Sequence, residues 1–206
     1  MPVTRPAGDS GDADPAVTAA LTAYAAGQAA EAAVLGAVAA SRLLVPVVAV
    51  LAEAGPDGTE KETEMALPTL VGNDGRKAVI AFTSTATVAR WRPDARPVPV
   101  AAASLWPAVA AEQADAVVID VAGPHPLVIE GARLAALAAG GAPPDPYADP
   151  DVRAQVAAVT SAFTLEPGDA GSDLTVALPA PDRAVAQAIA ARLAPRLRRG
   201  ITFRLG

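Results

Sequence analysis

Few residues in this chain are equipped for chemistry. There is one histidine, His125, and no cysteine. His-pair metal sites, thiolate zinc, iron–sulfur ligation, thiol nucleophiles and disulfides therefore lack their parts. A serine nucleophile would need His125 as its base, and no Gly-x-Ser-x-Gly elbow presents one. His125 stands between Pro124 and Pro126, a setting that reads as a rigid surface turn.

The remaining candidates are charged or aromatic. Lys61, Glu62 and Glu64 are the densest charges in an otherwise apolar region. On a strand Glu62 and Glu64 share a face, and two such carboxylates suit a divalent cation or acid–base work. The preferred reading is a solvated strand end whose charges discourage edge-to-edge pairing, with a partner-binding edge as the functional alternative. Asp120 ends the apolar run Ala116-Val117-Val118-Ile119, where open α/β sheets place ligand-binding carboxylates. It is equally placed to cap the turn at Gly123, and the cap is preferred. Gly72-Asn73-Asp74-Gly75 lacks the Lys-Ser/Thr of a phosphate loop and leads into a strand.

Arg192, Arg196 and Arg199 share a face if the last helix persists past Pro195. Arginines there complement the helix macrodipole; an acidic partner or a phosphate is the functional alternative. Trp91 and Trp106 read as core, because a chain with seven aromatic residues would bury the few it has. No catalytic, cofactor-binding or metal-ligating residue is assigned. The partner-surface candidates are Lys61, Glu62, Glu64, Arg192 and Arg196.

The elements that must position these residues follow from composition and punctuation. At 206 residues and 52% hydrophobic, the chain can bury a core of one ordinary domain, or one plus a small module. The net charge of -6 argues against nonspecific nucleic-acid or anionic-membrane binding. No uninterrupted apolar stretch reaches membrane-spanning length, because Gly27, Gln28, Glu31 and Gly36 break the Ala-rich region. Met1 to Ala13 lacks the apolar segment of a signal peptide. A cytoplasmic location is the expectation.

Residues 1–14 read as a disordered tail. Asp14-Pro15 starts a helix to about Ala26, and a second covers roughly Gln28 to Ala40. Pro46 places the strand at 43–51 on an edge or across a bulge. The segment 62–83 reads as a hairpin turning at Asn73-Asp74-Gly75, which supplies positive φ cheaply. A short helix capped by Ser84 or Thr85, a strand at 97–101, and a helix capped by Ser104 with Pro107 in its first turn come next. A buried strand at 115–121, a strand at 127–130 and a helix at about 132–139 complete a domain spanning 15–141. Residues 142–151 hold four prolines and read as a linker. Strands near 155–164 and 173–178, a helix capped by Asp182 and a strand at 201–205 make a ββαβ module over 152–206. The expected class is α/β (α+β), a mixed sheet with a central hairpin flanked by helices, plus that module.

Several stretches go together: Ser41-Arg42-Leu43-Leu44-Val45-Pro46-Val47, Lys61-Glu62-Thr63-Glu64-Met65-Ala66-Leu67-Pro68 and Asn73-Asp74-Gly75-Arg76-Lys77-Ala78-Val79, then Ala81-Phe82-Thr83-Ser84 and Ala116-Val117-Val118-Ile119-Asp120. In this order they resemble the N-terminal domain of the SseB family, in its actinobacterial form, over roughly residues 30–140. Roughly the last 55 residues are at most distantly similar to the C-terminal half of longer members. The resemblance implies the fold above and brings no enzymatic activity with it; the family is named for enhanced serine sensitivity. The expected function is a non-catalytic, cytoplasmic protein-interaction or regulatory module, with a protein partner or self-association and no cofactor. The alternative is a small-molecule binding domain, perhaps for an amino acid, with Asp120 or the Glu62/Glu64 edge supplying polar contacts.

Overall fold

A computed structural model describes residues 10–47 and 69–206. The expected site residues Lys61, Glu62 and Glu64, residues 48–51 of the expected first strand and residues 62–68 of the expected hairpin lie outside these. Part of the expected tail is ordered: Gly11 accepts from Thr85 N at 2.8 Å and Asp12 from Arg42 Nη2 at 2.8 Å through their carbonyls.

Helix α1 (Pro15–Ala25) starts as its sequence requires, with Asp14 accepting from Ala16 N and Pro15 in the first turn. Helix α2 (Glu31–Ala39) follows. Strand β1 (Arg42–Val47) pairs antiparallel with β4 (Arg96–Ala101) in a two-stranded sheet. Pro46 faces Pro97 and Leu44 faces Pro99. The arrangement is tolerated because Leu44 points its N–H and C=O away from β4, exchanging both with Phe82 at 2.7 and 2.8 Å. Alternate residues repeat that orientation, so Pro46, Pro97 and Pro99 fall where the β1–β4 ladder needs no N–H.

The main sheet has the order β2-β3-β5-β6. Strands β2 (Thr69–Val71) and β3 (Lys77–Ala81) form an antiparallel hairpin whose turn places Gly75 at φ 81°, the conformation expected of its Asp-Gly step. Strand β5 (Ala116–Ile119) runs parallel to β3 and antiparallel to β6 (Leu127–Glu130). Alternation sorts the side chains. Val79, Ala81, Val117, Ile119, Leu127 and Ile129 join the large core against α1, α2, α4 (Ala102–Ala111) and α5 (Gly131–Ala138). Ile80 and Phe82 face the other way, onto Leu44, Val88 and Trp91 of α3 (Thr85–Trp91). Ser84 caps α3 in a reciprocal box with Thr87.

Trp106 is buried in the large core and Trp91 is half-buried against Phe82. Helix α4 starts two residues ahead of Ser104, without a side-chain cap, so Pro107 lies inside the helix and not in its first turn. The missing N–H removes the bond that Ala103 would otherwise accept.

The C-terminal residues build their own sheet, β7-β8-β9 (Thr164–Pro167, Leu174–Leu178, Ile201–Leu205), around their own apolar cluster. The order ββαβ is present, with α7 (Arg183–Leu193) capped by Asp182 as expected. One element differs. Helix α6 (Pro150–Ala157) stands where a strand was expected from 155, and it starts inside the expected linker. Asp149 accepts from Asp151 N at 2.7 Å, and Pro150 takes the first turn. Among the described residues, no helix is long and apolar enough to cross a membrane.

Candidate functional site at the seam between the modules

Glu31 opens α2 and is 3% exposed. A carboxylate so deep must be met by cations and donors, and two arginines supply them. Arg133, on α5, donates from Nη1 to Glu31 Oε1 at 2.5 Å. Arg196, in the turn after α7, donates from Nε to Glu31 Oε2 at 2.7 Å and from Nη2 to Asp149 Oδ2 at 2.6 Å. Asp149 is fully buried at the cap of α6. Two carboxylates and two guanidinium groups thus close a neutral buried network. It joins α2 and α5 of the first module to the start of α6 and the end of α7 in the second.

Two further contacts sew the seam. Asp151 Oδ2 accepts from Ala132 N at 2.7 Å, so a side chain of α6 caps α5, whose own cap residue Glu130 makes no such bond. Tyr24 donates its hydroxyl to the Arg196 carbonyl. Burial first, and then the neighbouring Glu31 charge, push the Tyr24 hydroxyl up to about 12. Burial alone would lower the Arg196 guanidinium, but Glu31 and Asp149 hold it above its usual value.

Because the folded tyrosine ionises above the unfolded one, its contribution to stability is complete below about pH 10. It is lost as pH rises toward about 12. In a Tyr147→Phe background, which leaves Tyr24 as the sole tyrosine, ultraviolet titration of the folded protein is expected to give a midpoint near 12. A midpoint near 10 would show that the hydroxyl reaches water.

Over this network lies a cleft of about 480 Å³, lined by Arg76, Arg133, Arg192 and Arg196 together with Glu130, Asp151 and Gln155. Arg76 pairs with Glu130 at 2.5 Å, and that hydrogen bond holds its guanidinium above the usual arginine value. Arg192 is exposed on the last turn of α7.

The seam separates the residues expected at the surface. Arg192 is there. Arg196, expected beside it, is 8% exposed. Helix α7 ends at Leu193, and the chain turns back through the bond from Arg196 N to Leu193 O at 3.0 Å, carrying the side chain inward. Arg199 bonds Ala170 O at 2.5 Å. Asp120, at φ 51°, accepts from Thr83 N and Oγ1 at 2.9 and 2.6 Å. Its carboxylate thus holds the segment that follows β3 and does not form the expected cap on the turn; the turn is closed by its backbone carbonyl, which accepts from Gly123 N at 2.7 Å. His125 is half-buried in its turn.

Glu31, Asp149 and Arg133 escaped the sequence reading. The signals were a lone Glu in an Ala-rich run for Glu31 and a third Asp-Pro step for Asp149, with none for Arg133.

The architecture defines a two-module α+β protein held at its seam by charge. The family model for the SseB protein N-terminal domain matches residues 17–136, and the chain belongs to that family. No curated protein and no solved structure is significantly similar to it.

Proposed function

We propose that this SseB family member is a cytoplasmic interaction or regulatory module, acting by recognition rather than catalysis through the open edge of its C-terminal sheet. One observation carries the reading. Among the described residues β9 pairs only with β8, and Leu205 at its end is 61% exposed. Beside it runs a groove of about 270 Å³ lined by Leu178, Pro181, Ala186, Phe203 and Leu205, among others.

Soluble proteins commonly guard such an edge with charge. Here Arg204 is instead drawn across the sheet to Glu166 on β7, and although Arg204, Asp182 and Arg183 also line the groove, its wall is mainly apolar. The occupant that fits is an extended segment of a partner protein, added as a fourth strand with an apolar side chain in the groove. Asp120, the polar contact of the small-molecule alternative, is instead engaged with Thr83.

Tagged co-purification with intact-complex mass spectrometry tests this. A stoichiometric protein partner is expected with the native chain and is expected to be lost with Leu205→Lys. That surface change should alter stability by about 0.5 kcal/mol or less. A clean monomer, or a partner that tolerates Leu205→Lys, would sink the reading. A homodimer broken by the same substitution would put a second copy on the edge in place of the partner.

A further inference from the structure

We infer that the seam cleft is a binding site for a small, multiply charged anion bearing phosphate or carboxylate groups, with Arg192 as its principal contact. Four guanidinium groups and two carboxylates line the cleft, in a chain whose net charge is -6, and Glu31 and Asp149 beneath it already neutralise Arg133 and Arg196. The two carboxylates are already engaged: Asp151 accepts from Ala132 N at 2.7 Å, and Glu130 faces Arg76. The Arg192 side chain has neither an ion pair nor a hydrogen bond among the described residues. Gln155, half-buried on α6, adds an amide to the lining.

The macrodipole of α7 accounts for an arginine at position 192. It does not account for what lies beneath. Arg133 is 6% exposed and lines the cleft, yet its Nε–H has no acceptor. An unmet buried donor on a cation is costly, and an anion oxygen is the acceptor it lacks once the enclosed Nε–H turns toward the cleft. Arg76 can serve the same anion, because its pair with Glu130 is half-exposed, the side chains being 52% and 36% accessible. Such pairs are weak and easily shared.

The volume of about 480 Å³ falls within the range of small-molecule sites and exceeds what one phosphate fills. Planar guanidinium forks suit phosphate and carboxylate oxygens alike. This site is independent of the β9 edge, so Leu205→Lys should leave it intact.

The test uses the full chain with sodium phosphate, pyrophosphate and citrate, each at one ionic strength fixed with sodium chloride. Calorimetric titration and thermal unfolding are read together. Pyrophosphate or citrate is expected to release binding heat and to raise Tm above the chloride control. Arg192→Gln is expected to weaken binding about tenfold or more. Arg183→Gln, an exposed arginine at the other end of α7, should leave affinity unchanged. Preference for pyrophosphate would assign a phosphorylated ligand, and preference for citrate a polycarboxylate. Absence of heat and of a Tm shift with all three anions would overturn the site. So would an affinity that Arg192→Gln leaves unaltered, or that Arg183→Gln lowers equally.

Discussion

Replacing Glu31 with alanine is expected to lower the unfolding free energy by about 3–5 kcal/mol, the cost of stripping one partner from a buried ion pair. Glu31 answers two cations at once, Arg133 at 2.5 Å and Arg196 at 2.7 Å. Its loss leaves Arg133 without a carboxylate, while Arg196 retains Asp149. The loss is large against the about 5–15 kcal/mol that usually separates folded from unfolded domains. Urea unfolding measures it directly. Removing Arg133 as well should give back part of the cost, because the orphaned charge goes with it. A single-mutant loss under about 1 kcal/mol, the range of exposed pairs, would mean that water reaches the network and screens it.

The second large effect belongs to a residue without a side chain. Gly131 holds φ 58°, and a Cβ there would lie 2.0 Å from Asp151 Oδ2. Gly131→Ala must therefore adopt left-handed backbone, at about 1–2 kcal/mol, and push away the carboxylate that caps α5, at about 1 kcal/mol. Reduced freedom of the unfolded chain returns about 0.4–1 kcal/mol, for a net loss of about 2 kcal/mol. In an Asp151→Ala background the cap is already gone, and the same glycine substitution should cost about 1 kcal/mol less. Equal costs in both backgrounds would show that backbone strain alone is at work and that the seam feels nothing.

Local grammar made much of the fold legible. Asp14-Pro15, Ser84 and Asp182 cap helices where their types demand it, and the Asp74-Gly75 step turns a hairpin. Asp149-Pro150 speaks the same grammar as Asp14-Pro15. The prolines around it read as a linker and the residues from 155 as a strand, and together these readings hid the helix. Pro46 by its type marks an edge or a bulge; the matching prolines 97 and 99 lie on another strand, and only the register shows that no bond of the β1–β4 ladder is lost.

The seam was the least legible part. Its members Glu31, Arg133, Asp149 and Arg196 come from four distant stretches, and no local pattern brings them together. Arg196 illustrates the difficulty. Helical spacing beside Arg192 put it on the surface, whereas one turn past Leu193 reverses it into the protein. Arg192, before the break, stays where the periodicity placed it.

The bond between Glu31 and Arg196 joins residues 165 positions apart. On a ribosome, Glu31 is made early and meets Arg133 first. Arg196 follows on the order of seconds later, at typical elongation rates. Until then the first module holds only one of the two cations that its buried carboxylate requires. Chain growth and the buried network are thereby linked: Glu31 has its full set of partners only once Arg196 has been made.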